Sequence, residues 1–191
     1  CDLKNSNERY INVDSLNKQN SLTHFIVGAS RGIRRSLVDQ SIRNGHSVTA
    51  LARTSPIEPI TGCNWIKGNA TEPEAFLEQL PETINALTFC PGKVILGPVK
   101  RLKPEQMLEA YQTSVLDAFT LIQALLPRLE GSVVFISSVA ATTGLPSHCA
   151  ISAAKSGLEG FAIALAADLA PKVRVNVVAP TLTPTEMGLG M

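Results

Sequence analysis

Cysteine and histidine are sparse and carry no pattern. The four cysteines, Cys1, Cys63, Cys90 and Cys149, never stand in Cys-x-x-Cys spacing, and the three histidines, His24, His46 and His148, complete no zinc-ligand motif. No metal site is expected, and a reduced, cytoplasmic compartment is the default for such thiols. An excess of one charge is also missing. Lys and Arg number 17 against 16 Asp and Glu, a formal net charge of +1, which disfavours a nucleic-acid partner. The longest purely apolar run, Phe161 to Ala167, falls far short of the roughly 20 residues that cross a bilayer, so no membrane partner is expected. Internal repeats, low-complexity tracts and interdomain linkers are absent too. What remains is an ordinary globular composition, 45% hydrophobic and 17% charged, in 191 residues, enough for one domain with one core.

Residues 1–20 are polar and Asn-rich without a charged-then-apolar layout, and are expected to be a flexible lead-in to a domain covering 21–191. A first residue Cys1 in place of an initiating Met fits a processed product or a cropped chain. From Leu22 onward, short β-rich runs alternate with helical stretches. Strands are expected near Thr23 to Val27, Val48 to Leu51, Trp65 to Lys67, Ala86 to Phe89, Val133 to Ile136 and Arg174 to Val178, with helices filling the gaps. The longest helices are expected to begin near Pro104, whose fixed φ suits a first helical turn, and near His148 or Cys149. Alternation of this kind, with strands apolar on both faces, predicts an α/β fold: a three-layer, doubly wound parallel sheet of the Rossmann type.

The first chemistry-bearing segment is Phe25 to Arg35, FIVGASRGIRR, between the first strand and the first helix. A helix N-terminus presents unpaired N–H groups, and glycines let a diphosphate approach that backbone closely, so Gly28 and Gly32 suit a nucleotide. A tight strand-to-helix turn with no ligand uses the same residues.

Four further segments agree with the first, and together they resemble the short-chain dehydrogenase/reductase family over most of the chain after Thr23. The glycine turn is similar to the family's Thr-Gly-x-x-x-Gly-x-Gly, with Val27 for Thr and Arg34 for the last glycine. Cys90-Pro91-Gly92 stands where the family has Asn-Asn-Ala-Gly, and Ile136-Ser137-Ser138 resembles the Ser-bearing end of the fifth strand. Ser152 to Gly157 resembles the helix that carries Tyr-x-x-x-Lys, and Val175 to Pro180 the sixth strand and its exit. In that family a Tyr hydroxyl exchanges a proton with the substrate oxygen while a hydride moves to or from nicotinamide. The Asn, Ser, Tyr and Lys of its active site fall here on Ser114, Ser138, Ile151 and Lys155. Ile151 has no proton to give, so the resemblance implies a divergent branch without the Tyr. His148, three residues ahead, is the rival donor, because an unperturbed imidazole titrates near pH ~6.5. A loop histidine at a helix mouth is the plainer reading, and Cys149 reads as a packing residue.

The resemblance implies NADP(H) as cofactor. An acidic residue at the end of the second strand would bind the adenosine 2′-hydroxyl of NAD, whereas Ala52-Arg53 stands there, and Arg31 is a second basic position; guanidinium suits a 2′-phosphate. Carried over residue by residue, the cofactor turn uses Gly28, Ser30, Arg31, Gly32 and Ile33. The adenine side uses Arg53, Asn69 and Ala70; the nicotinamide side uses Pro91, Gly92, Lys155, Pro180, Thr181, Thr183 and Thr185. Arg34 is expected either to force a shift or point outward, or to meet a phosphate. Family members continue past this point, so the final strand and the substrate lid are expected to be missing, leaving a wet pocket. An oxidoreductase of a small carbonyl or alcohol is the leading expectation; a non-catalytic nucleotide-binding scaffold and an inactive fragment are its alternatives. The helices near Pro104 to Pro127 and His148 to Leu169 correspond to those that pair relatives into homodimers.

Overall fold

The computed structural model describes residues 21–29, 33–54 and 60–181; the 1–20 lead-in and Ser30, Arg31, Gly32, Thr183 and Thr185 lie outside the described residues, as does the side chain of Ile33. The apolar runs form six strands: β1 (Thr23–Val27), β2 (Ser47–Ala52), β3 (Cys63–Lys67), β4 (Ile84–Phe89), β5 (Leu129–Ile136) and β6 (Val173–Val178). They make one sheet in the order β3-β2-β1-β4-β5-β6, all pairs parallel. The helices are α1 (Ile33–Arg43), α2 (Pro104–Tyr111), α3 (Asp117–Leu125) and α4 (Cys149–Leu169). The doubly wound parallel sheet is therefore as the alternation implies.

Side chains alternate across β1 and decide the two core layers. Phe25 and Val27 face α3 and α4, packing with Leu87, Phe89, Val133, Phe135, Leu121 and Leu158. Ile26 faces the other way, with Val48, Ala50 and Val38 of α1. Not every gap holds a helix. Between β3 and β4 the chain makes only two 3-10 turns, Pro73–Ala75 and Leu77–Gln79, and no helix stands between β2 and β3 among the described residues. Phe76 and Leu80 from the β3–β4 connection fill the core in its place.

Pro104 opens α2, and the Oε1 of Gln106 accepts the N–H of Lys103, closing half a capping box. A π-turn over Gln112–Leu116 separates α2 from α3 and carries Ser114, which is wholly buried. Helix α4 is long and apolar enough by length and composition to cross a membrane. Here Ile151, Ala154, Lys155, Leu158, Ala162 and Leu165 of it are buried in the fold. At Gly157 it closes on α2, where a Cβ would stand 3.0 Å from the Tyr111 ring.

On the α1 side, His24 of β1 shares hydrogen bonds with Ser41 (Nδ1 to Oγ, 3.0 Å) and Thr88 (Nε2 to Oγ1, 2.8 Å). Burial, helped by the charge of His46, holds its pKa down at about 4 rather than 6.5. The unfolded chain therefore takes up this proton first, and stability falls as pH drops from 6.5 through 4. Converted at about 1.4 kcal/mol per pH unit, the loss is on the order of 3.5 kcal/mol below that window. Urea unfolding of the parent and His24→Gln at pH 7 and pH ~4.5 checks it. The variant's stability should fall less; equal losses would remove His24 as the cause.

Candidate active site

The carboxyl ends of β1 and β4 lie side by side, and the connections from them leave in opposite directions, since β2 is on one side of β1 and β5 on the far side of β4. Ligands of open α/β sheets bind in the crevice above such a switch point. Its floor is tied by backbone bonds: the Gly28 N–H donates to Leu51 O at 2.8 Å and the Cys90 N–H to Val27 O at 3.1 Å. Gly28 has φ +81°, a left-handed conformation that favours glycine, as the chain turns from β1 toward α1.

Arg34, in the first turn of α1, points neither outward nor away from the crevice. Its Nη1 lies 3.4 Å from where a Cβ on Gly28 would stand, and Pro91 Cδ and Cγ are equally near that point. Its charge is felt by Cys90 and Lys155.

Lys155, only 5% exposed, reaches from α4 to the end of the sheet. Its Nζ donates to Ile136 O at 2.7 Å and Pro91 O at 3.4 Å. Burial drives its pKa down to about 8, the Cys90 thiol pulling it up and Arg34 pushing it further down. Cys90 is buried in turn, and its thiol is pushed up to about 12, so it is an inert packing group despite the two cations. Gly92 suits this closeness: a Cβ there would stand 2.9 Å from Lys155 Nζ, displacing the end of the lysine, and 3.8 Å from Ser114 Oγ. The Ser114 hydroxyl is buried and has no hydrogen-bond partner among the described residues.

Ser138 follows β5 and caps a 3-10 turn, Val139–Ala141, its Oγ accepting the Ala140 N–H at 3.2 Å. That leaves the hydroxyl hydrogen available to a substrate oxygen. The neighbouring Ser137 donates its hydroxyl to Glu159 Oε1 of α4 at 2.6 Å. The N–H of Val139 donates to Pro180 O at 3.1 Å, which holds the exit of β6 against this turn, with exposed Thr181 next to it. Ile151 is buried, one helical turn before Lys155. His148 is the residue before α4, with Nδ1 2.6 Å from Pro146 O. A carbonyl only accepts, so Nδ1 carries the hydrogen, and a neutral ring then offers Nε2 as an acceptor rather than a donor. Cys149 is exposed.

On the adenosine side, Arg53 is exposed at the end of β2 and no acidic residue accompanies it among the described residues of that turn. Its charge reaches Asp117 of α3. Burial raises the carboxyl's pKa, while a 3.0 Å hydrogen bond from Gln112 and then the Arg53 charge oppose the rise. Asn69 follows β3, its Oδ1 3.5 Å from the N–H of Thr71, and Ala70 beside it is buried. Exposed guanidinium, half-buried amide and glycine turn fit the phosphorylated adenosine part of a dinucleotide. Across the crevice stand the Arg34 guanidinium and Lys155, already bonded to the Pro91 and Ile136 carbonyls.

Sequence reasoning did not identify Asp117, Gln112 or Glu159. Asp117 left a signal, a lone carboxylate beside Ala118 and Leu121 on an apolar stripe. Glu159, one turn after Lys155, left none.

The chain was compared with known proteins. A family model described as short chain dehydrogenase matches residues 69–189. Carbonyl reductase family member 4 of Danio rerio is 30% identical over 183 residues, covering 87% of this chain and 77% of that protein. The 3-oxoacyl-[acyl-carrier-protein] reductase FabG of Escherichia coli K12 is 31% identical over 182 residues, covering 85% and 74%. Among solved structures, a short chain dehydrogenase from Burkholderia cenocepacia in complex with NADP superposes with TM-score 0.80 at 22% identity, covering 90% of this chain and 76% of that one.

Proposed function

The chain belongs to the short-chain dehydrogenase family of oxidoreductases, and from that premise we propose that it uses NADP(H) to interconvert a small carbonyl compound and its alcohol, slowly. The observation that carries the reading is Lys155, buried in the crevice between Pro91 and Ile136, with the free hydroxyl hydrogen of Ser138 on the neighbouring strand end. The relatives named for reduction of a carbonyl and the NADP-bound neighbour support it.

When bound, the cofactor supplies a hydride to the carbonyl carbon. The work of the protein's own residues is then electrostatic. Ser138 donates a hydrogen bond to the oxygen on which negative charge develops, worth about a hundredfold or more where such a donor is well placed. Lys155 holds a positive charge at the floor of the site and has one ammonium hydrogen beyond its two carbonyls for a ribose hydroxyl. Ile151 contributes no proton, so water must protonate the product oxygen, which makes the reaction slow. Gly28, Ser30, Gly32 and Ile33 would cradle the diphosphate, Arg31 and Arg53 the 2′-phosphate, and Asn69 and Ala70 the adenine. The altered wall at Pro180, Thr181, Thr183 and Thr185 would meet the nicotinamide. The test is oxidation of NADPH with small ketones: low turnover that Ser138→Ala abolishes fits, whereas turnover that survives loss of both Ser138 and His148 places the site elsewhere. A second reading, a non-catalytic nucleotide-binding scaffold, is favoured by the buried aliphatic side chain at 151.

Residues 21–191 form, on this reading, one nucleotide-binding domain working in the cytoplasm as a homodimer. The outer faces of α2, α3 and α4 leave Leu108, Tyr111, Phe119 and Ile163 exposed, Ile163 by 74%. Such a patch suits a second copy of the same helices. Light scattering at micromolar concentration should give twice the chain mass, and Ile163→Glu with Leu108→Glu should halve it; a monomeric parent would contradict the pairing.

A further inference from the structure

Arg34 lies where its chemistry is unsatisfied. Its guanidinium stands over the open face of Gly28, where a Cβ would lie 3.4 Å from Arg34 Nη1 and equally near the Pro91 ring, between the ends of β1 and β4. It makes no hydrogen bond or ion pair among the described residues, and it shares the crevice with another cation, Lys155. Two like charges in one crevice, with no carboxylate bonded to either among the described residues, disfavour one another, and an anion relieves both.

The topology assigns sides to this crevice. A dinucleotide lays its adenosine over the end of β2 and its diphosphate on the α1 N-terminus, so its second nucleoside must cross from β1 to β4. Arg34 stands across that crossing. Lys155 is committed to the Pro91 and Ile136 carbonyls, and Ser114 keeps a buried hydroxyl without a partner among the described residues. On the β2 side Arg53 is exposed.

We propose that Arg34 is the specificity-determining residue of the crevice: its guanidinium closes the nicotinamide side and meets the phosphate of a ligand bound on the adenosine side. The inference rests on the reading that the crevice takes NADP(H). The chain then recognises chiefly a phosphorylated adenosine diphosphate, and the nicotinamide half adds little because its contacts are offset by the displacement of Arg34.

Calorimetric titration of the parent, Arg34→Gly and Arg34→Ala with NADPH and with 2′-phospho-ADP-ribose, which lacks the nicotinamide, tests this. The parent should bind the two ligands within about threefold of each other, while both variants should bind NADPH about tenfold tighter than the parent does. The alanine variant, with a good helix former in the first turn, covers the case in which glycine unfolds α1. A parent that prefers NADPH strongly, or variants that bind NADPH more weakly, overturns the role of Arg34 and leaves the cofactor reading intact. Failure of every form to bind either ligand overturns both.

Discussion

Replacing Ile151 with Tyr raises NADPH-dependent ketone reduction by about a hundredfold to ten-thousandfold, the usual contribution of a positioned general acid. The expectation follows from placement. Position 151 lies one turn before Lys155 on α4, so a phenol there comes close to an ammonium, and the charge lowers the pKa of a Tyr from its usual value near ~10. A Tyr is larger than the buried Ile, and overpacking costs about 1–3 kcal/mol if the surroundings do not yield. Thermal unfolding and NADPH titration of the variant separate that cost from chemistry. Turnover at saturating NADPH is the measured quantity. A folded variant that binds NADPH as the parent does and shows the parental rate would mean that position 151 does not face the reacting oxygen. His148→Ala in the parent is the companion measurement. With its Nδ1 tied to Pro146 O, the ring is committed to the loop before α4, and the substitution should leave the rate unchanged.

Arg53→Asp reverses cofactor preference. A charge-assisted contact to a phosphate contributes about 1.5–3 kcal/mol, so the parent should bind NADPH about tenfold to a hundredfold more tightly than NADH. A carboxylate in its place repels the 2′-phosphate and accepts from a 2′-hydroxyl. Asp117 sharpens the expectation. Its carboxyl now benefits from the Arg53 charge, and removing that cation leaves a buried carboxylate supported by Gln112 alone. Part of any fall in stability then belongs to Asp117, and Arg53→Ala, which loses the cation without adding a like charge, measures that part. Fluorescence titration of NADPH and NADH against the three proteins decides it. Equal affinities in the parent would remove Arg53 from the 2′ position.

The sheet was legible because a parallel strand buried on both faces must be apolar nearly throughout, as the inner strands β1, β2 and β4 are, while the edge strands β3 and β6 keep an alternation of apolar with polar residues such as Asn64, Arg174 and Asn176. β1 has the bounds expected of it, whereas the other five extend one to four residues beyond the stretches expected, since residues such as Ser47, paired with Thr23, keep the backbone pairing without needing an apolar side chain. The missing helices were not legible: local pattern says that a crossover exists, whereas Phe76 filling the core by itself is a tertiary fact. In the site, the motif residues Gly28, Gly92, Ser138 and Lys155 declared themselves by order and spacing. Arg34 declared only its identity. Whether a long cation turns in or out depends on the space between Gly28 and Pro91, which lie 63 positions apart and meet only in the folded sheet. The π-turn that buries Ser114 is likewise set by packing against α4, for which QTSVL carries no propensity signal.

A crystal of the parent soaked in NADPH tests the central claim, that this crevice is an NADP(H) site, most directly. The account predicts the diphosphate over the turn between Gly28 and α1, the 2′-phosphate within hydrogen-bond reach of Arg53, and Arg34 in contact with a phosphate. Saturating NADPH that leaves Arg34 seated on Gly28 and Pro91 with no nucleotide above it would contradict the account.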